Sequence, residues 1–104
     1  MTTTIGDVAT LVRSKNAGPF WQTLDIFLPD ADAFRAVADA EGLTAEAVAR
    51  AYRVDAATVR IFRMAPIRVI KVSFPRRHAQ GGADDRDMHA GQQHVPLAWL
   101  PLRP

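Results

Sequence analysis

The sequence predicts an α+β fold, a sandwich in which helices cover one face of an antiparallel β-sheet. Two observations predict it. Segments with apolar residues at helical spacing alternate with segments rich in branched and aromatic residues, in the order strand, helix pair, strand, strand, with both ends folded back. The chain has 104 residues, 48% of them hydrophobic, which suffices for a single domain over residues 1–104 with a modest core.

The N-terminal part is predicted to contain a helix, a loop and a strand. Thr4 can cap a short helix whose apolar residues recur every three or four positions, namely Ile5, Val8, Leu11 and Val12. The end of this helix stays open, because residues 9–13, ATLVR, could equally be extended. Residues 14–20, SKNAGPF, are predicted to form a loop, because Asn16 and Gly18 tolerate the left-handed region and Pro19 excludes helix. Residues 20–29, FWQTLDIFLP, combine aromatic and branched residues between prolines and predict a largely buried strand.

Two helices and two strands are predicted in the middle of the chain. Asp30 and Thr44 each stand where a helix cap is expected. Residues 58–64, TVRIFRM, and 67–74, IRVIKVSF, are strand candidates joined by a hairpin turn or a bulge at Pro66. Such a sheet leaves its other face or its edges uncovered, and a small domain commonly buries these surfaces against another chain.

The C-terminal part divides into a polar and an apolar stretch. Residues 75–90 show no apolar period and contain Gly81 and Gly82, so they are predicted to form a flexible polar loop. Residues 95–102, VPLAWLPL, return to apolar character. We therefore expect the tail to pack back on the domain.

Composition excludes several classes of protein. The chain has no cysteine, which excludes disulfides, thiolate nucleophiles and cysteine-ligated zinc. Its apolar stretches are too short and too interrupted to span a bilayer, and its first residues lack the basic start and apolar run of a secretion signal. We expect a cytoplasmic protein without a membrane partner.

Nucleic-acid binding is weakly supported. The net charge is only +2, and arginines alternate with aspartates along the chain, so no nucleic-acid partner is expected. Residues 45–62, AEAVARAYRVDAATVRIF, resemble a helix-turn-helix. However, Arg53 stands where the turn most often has glycine, and the segment that follows has a stronger strand pattern. DNA binding is the least favoured of the hypotheses.

Residues 84–97, DDRDMHAGQQHVPL, invite a metal-site or catalytic interpretation. His89 and His94 are five positions apart, a spacing that does not align two imidazoles on one helix face. Aspartates in a glycine-flanked loop are usually solvated; those concerned are Asp84, Asp85 and Asp87. Ser14 and Ser73 lack a recognisable nucleophile context. We expect neither a metal nor a cofactor.

Residues 13–18, RSKNAG, are a better candidate for a site. A loop that offers Arg13, Ser14, Lys15 and Asn16, with free backbone amides around Gly18, could hold a carboxylate or phosphate. In the structural alternative, the asparagine and the glycine only make the turn, and the two cations point into water.

Two stretches together resemble the paired signatures of a known family. They are residues 6–26, GDVATLVRSKNAGPFWQTLDI, and residues 89–97, HAGQQHVPL. The family comprises small bacterial proteins catalogued as a domain of unknown function and described as AtuA-like, after the acyclic terpene utilisation protein. The resemblance covers essentially the whole chain and departs from the family pattern at Met88, His89 and Ala90.

The resemblance implies a ferredoxin-like sandwich and a companion role. The chain would be an accessory small subunit of a two-component enzyme with a large AtuA-like partner. The enzyme would act on a small-molecule carboxylic acid or acyl-CoA thioester as a lyase, hydratase or isomerase. The residues that would bind the substrate are Arg13, Ser14, Lys15, Asn16, Gln92 and Gln93. His94 is the catalytic candidate, because it can transfer protons near neutral pH.

Two alternatives stay open. The glutamines and the histidine could be structural and tie the C-terminal tail to the backbone by hydrogen bonds. The chain could also be a non-catalytic binding or scaffold module that forms a homo-oligomer.

Overall fold

The computed structural model describes residues 2–18, 20–75 and 94–103. The helices are α1 (Ile5–Val8), α2 (Ala31–Ala38), α3 (Ala45–Tyr52) and α4 (His94–Ala98). The strands are β1 (Leu11–Asn16), β2 (Trp21–Phe27), β3 (Arg60–Met64) and β4 (Val69–Pro75), and short 3-10 turns cover Ala56–Thr58 and Ala65–Ile67.

The four strands form one sheet in the order β1-β2-β4-β3, and each neighbouring pair is antiparallel. The sheet consists of two hairpins, β1-β2 and β3-β4, which join side by side through β2 and β4. The predicted α+β class with an antiparallel sheet is confirmed. Along the chain the central elements run ββααββ, whereas ferredoxin-like proteins have the order βαββαβ.

The helices cover one face of the sheet, which we call the inner face. Because side chains alternate along a strand, residues such as Val12, Leu24 and Val72 point into the core while their neighbours point away from it. From the helices, Val37, Val48 and other apolar side chains close this core. We call the opposite side the outer face.

The capping signals of the helices are confirmed, whereas the helical spacing at Leu11 and Val12 is not, because α1 ends at Val8 and β1 begins at Leu11. Thr4 caps α1 in a capping box with Asp7, and Asp30 and Thr44 accept hydrogen bonds from the first turns of α2 and α3. Helix α3 ends at Arg53, whose φ of 58° lies in the left-handed region. Arginine here replaces the glycine usual at such a helix end.

The C-terminal tail packs back on the domain, as expected. Leu97 of α4 is fully buried in the core. Beyond α4, Pro101 forms an antiparallel bridge with Thr4, and the backbone N–H of Leu102 donates to the carbonyl of Thr3. The two ends of the described chain are therefore held together.

One loop prediction is wrong, and another falls almost entirely outside the described residues. The prediction of a loop over residues 14–20 is wrong, because β1 continues to Asn16 and only the residues after it form the turn. Asn16 and Gly18 lie at the tip of a hairpin, and cross-strand bonding to β2 keeps the residues up to Asn16 extended. The predicted polar loop over residues 75–90 lies outside the described residues except for Pro75, which ends β4.

The helix-turn-helix alternative fails on its second helix. In place of a recognition helix, the chain forms a 3-10 turn over Ala56–Thr58 and then strand β3. Separately, within the described ranges no helix is long and apolar enough to cross a membrane.

Candidate functional site

Strand β1 divides the RSKN signature between the two faces of the sheet. Arg13 and Lys15 point outward and are exposed, whereas Ser14 is buried and Asn16 half-buried on the inner face. The cause is the two-residue period of a strand, which sends successive side chains to opposite faces. The four residues therefore do not form a single anion-binding loop.

The outer face is a polar surface with apolar surroundings. Its side chains belong to three rows of paired residues: Leu11, Phe27, Val69 and Met64; Arg13, Asp25, Lys71 and Phe62; and Lys15, Thr23, Ser73 and Arg60. Trp21 lies beyond the third row. Among the described strands, this face carries four cations and a single carboxylate, so it has an excess of positive charge.

Asp25 is the carboxylate at the centre of the outer face. The residue is only 5% exposed, although none of the described helices covers this side of the sheet. Its Oδ2 lies 3.6 Å from an Nη2 of Arg13, and the guanidinium of Arg13 also lies 5.2 Å from the centre of the Phe27 ring. The Oδ1 atom is buried and has no hydrogen-bond partner in the described part of the chain. The pair fixes Arg13 over β2 and neutralises one of the cations.

Two hydroxyl groups lie beside this ion pair. The Oγ1 of Thr23 and the Oγ of Ser73 are 3.3 Å apart across β2 and β4. Thr23 is buried, and Ser73 is half-buried. The cross-strand register places Lys15 next to Thr23 and Lys71 next to Asp25. Within their own row the hydroxyls lie between Lys15 and Arg60, and Lys71 lies two positions before Ser73 on β4.

The inner face carries a second polar group, at the end of the sheet where β4 finishes. Asn16 pairs with Gln22, and Gln22 pairs with Phe74. Gln22 is 4% exposed, and its Nε2 has no hydrogen-bond partner among the described residues. The Phe74 ring contacts Tyr52, with 4.6 Å between ring centroids. The hydroxyl of Tyr52 accepts a hydrogen bond from the backbone N–H of Leu97 at 3.0 Å.

His94 begins α4, which packs against α1, α3 and β1 on the inner side of the sheet. Ser14 and Asn16 point to this same side, whereas Arg13 and Lys15 point to the other. Among the described residues of the two signatures, only the inner-facing side chains of β1 lie on the same side of the sheet as His94. Gln92 and Gln93, together with the aspartates and His89 of the loop, lie outside the described residues.

A cavity of about 300 Å³ lies between α3 and the C-terminal tail. Its lining includes Thr44, Arg50, Leu100 and Pro101, and none of the predicted site residues. In the described ranges, no cluster of three or more histidine, aspartate or glutamate side chains is arranged to hold a metal ion.

Sequence reasoning missed three residues of these groups, Gln22, Thr23 and Asp25. All three lie in the segment WQTLDIF, which was interpreted as a buried apolar strand. The signal that could have indicated them is the presence of polar residues at both odd and even positions of the strand, and therefore on both faces of the sheet. A polar side chain inside a central strand must find a partner or a function, because burying it unpaired is costly.

Comparisons with known proteins identify the family alone. No curated protein and no solved structure matches the chain significantly. The family model described as "Domain of unknown function (DUF4387)" matches residues 5–101, which include all the strands and helices described above. The chain belongs to this family.

Proposed function

We propose that the chain is a cytoplasmic accessory subunit of a two-component enzyme and docks on a larger AtuA-like partner through its outer face. The observation that carries the proposal is the absence of helices over this face in the described part of the chain. Leu11, Trp21 and Phe62 are 51%, 42% and 50% exposed there. Large apolar side chains that share one face favour a protein interface.

The cations of this face suit the substrate that the family resemblance implies. Arg13 and Lys15 are exposed and would face the partner when it docks. A lyase, hydratase or isomerase that acts on a carboxylic acid or acyl-CoA thioester has to hold an anionic substrate and the charge that develops beside its carbonyl. The small subunit would supply part of that positive field.

His94 would act differently from the two cations. Because α4 lies on the inner side of the sheet, His94 does not share a surface with Arg13 and Lys15. In this proposal, Lys15→Ala lowers the activity of the two-subunit enzyme without lowering the thermal stability of the small subunit. If His94→Ala lowers stability and activity together, His94 holds the tail; if it lowers activity alone, it serves catalysis.

Co-expression tests the docking. The small subunit is produced with the large protein encoded beside it and analysed by size-exclusion chromatography. We expect the two chains to co-elute, and Phe62→Ser to weaken the complex. Trp99→Ser is the matched control, because Trp99 is 75% exposed but follows α4 on the helical side. Chains that never co-elute, or equal effects of both variants, would contradict the proposal.

Self-association is the competing outcome of the same experiment. A homo-oligomer that forms alone, excludes the large protein and is broken by Phe62→Ser would show a scaffold module. The charges oppose it, since two copies joined by their outer faces would bring two sets of cations together.

A further inference from the structure

One row of the outer face has a polar pattern that protein docking does not require. Across the sheet, Lys15 pairs with Thr23, Thr23 with Ser73, and Ser73 with Arg60. Neighbouring strands lie about 4.8 Å apart, so the row extends about 14 Å from edge to edge. Two hydroxyl groups thus lie between two cationic side chains on a surface that the described helices leave uncovered.

The hydroxyl pair has hydrogen-bonding capacity left over. Either Thr23 or Ser73 donates in the bond of 3.3 Å between them. Each hydroxyl carries one hydrogen, so the hydrogen of the accepting hydroxyl is not used in that bond. Ser73 is the more exposed of the two. An acceptor placed above the pair could therefore receive a hydrogen bond from it.

Lys15 lies at one end of this row and Lys71 lies two positions before Ser73 on β4, and neither lysine forms an ion pair with a described residue. In the described part of the chain, no carboxylate lies within ion-pair distance of Lys15 or Lys71, and the carboxylate of Asp25 is engaged by Arg13. Arg60 is less available, because its Nη1 donates to the carbonyls of Ala57 and Val59 at 2.9 and 3.4 Å. The strongest uncompensated positive charge is thus at the two lysines.

We infer that Lys15, Thr23, Ser73 and Lys71 form a binding site for the phosphate group of a phosphomonoester or diphosphate. A phosphate monoester carries about two negative charges and three acceptor oxygens near neutral pH, which two ammonium groups and a hydroxyl donor match. A single carboxylate would leave positive charge uncompensated. The inference names the anionic group that the outer face holds, and for its role in the enzyme it rests on the proposed function.

Pyrophosphate titration of the isolated chain tests the site. The chain has two tryptophans, and Trp21 lies beside the Lys15 row whereas Trp99 lies on the helical side. In a Trp99→Phe background, the fluorescence of Trp21 reports on the outer face. We expect saturable binding that weakens about fivefold or more in each of Lys15→Ala and Lys71→Ala, and by a smaller factor in Ser73→Ala.

The controls separate a phosphate site from general attraction of anions. Arg50→Ala removes an exposed cation from α3 and should leave the affinity unchanged. Citrate, at a pH where its charge matches that of pyrophosphate, should bind more weakly. The inference is overturned by absence of saturable binding, by an equal loss in Arg50→Ala, by equal affinity for citrate, or by tighter binding of a single-stranded oligonucleotide. The titration uses the isolated chain, so failure to bind pyrophosphate would overturn the phosphate site alone. Docking on the large protein is tested separately by co-elution.

Discussion

Replacing Tyr52 by phenylalanine tests how α4 is held. Helix α4 begins at His94, and the backbone N–H of Leu97 in its first turn donates to an acceptor outside the helix. The hydroxyl of Tyr52 is that acceptor, at 3.0 Å and in a buried position. Tyr52→Phe keeps the ring that contacts Phe74 and removes only the oxygen. The variant therefore removes the hydroxyl that accepts from Leu97 and keeps the ring in place.

The expected cost follows from removing the acceptor of a buried N–H, which deprives that group of its Tyr52 partner. Such a group costs about 1–3 kcal/mol of the free energy of unfolding. For a domain of this size, each kcal/mol lowers the melting temperature by about 4–8 °C, so we expect a decrease of about 5–20 °C. Circular dichroism during heating measures the decrease, and urea titration gives the free energy. A melting temperature within about 2 °C of that of the parent chain would refute this account of α4.

The pH dependence of the same residue gives an independent measurement. Burial raises the pKa of Tyr52 above its usual value, an effect that the hydrogen bond from Leu97 opposes only in part. The unfolded chain loses the phenolic proton near pH 10, before the folded chain does. The contribution of the Tyr52 phenol to the free energy of unfolding is therefore fully present below pH 10 and is lost as the pH rises further. Because Tyr52 is the only tyrosine, absorbance titration of phenolate reports on it alone, and Tyr52→Phe should flatten this part of the stability profile.

Three further experiments test other contacts. Gly42→Ala should destabilise the fold by about 3 kcal/mol or more, because the added Cβ would lie 1.7 Å from the carbonyl oxygen of Pro101. Urea unfolding measures the loss, and an unchanged midpoint of the urea transition would contradict the observed packing of the tail. Arg53→Gly should raise the free energy of unfolding by about 0.5–1 kcal/mol, because glycine adopts a φ of 58° without strain. A decrease would show that contacts of the Arg53 side chain stabilise the fold by more than its left-handed backbone destabilises it. A double-mutant cycle of Arg13→Ala and Asp25→Asn should give a coupling of about 0.5–1 kcal/mol, since Arg13 is half-exposed; additive effects would show that the ion pair is not formed in solution.

The sequence predicted the class of the fold because its local signals agree with its tertiary contacts. Thr4, Asp30 and Thr44 have side chains suited to capping, and each caps a helix. Likewise, the strong strand pattern after Thr58 excluded a recognition helix, and the chain forms β3 there. In these segments, propensity and packing favour the same structure.

The site was harder to predict, because its geometry depends on pairing between distant residues. Whether Lys15 belongs to a loop or a strand depends on its pairing with Thr23, which composition alone does not show. That pairing moves Ser14 and Lys15 to opposite faces. Similarly, Ser73 becomes part of a polar row only because β4 lies beside β2, a neighbour fifty positions away in the chain. The spacing of residues along the sequence does not indicate such a contact.

The bridge between Thr4 and Pro101 determines where any attached polypeptide would leave the domain. The N–H of Leu102 lies 2.9 Å from the carbonyl oxygen of Thr3, so extensions at the two ends would emerge side by side. The N–H of Gly42 also bonds to Leu102, which places this exit among the helices. A fusion at either end would therefore act as a tether at a single point and leave the outer face of the sheet accessible.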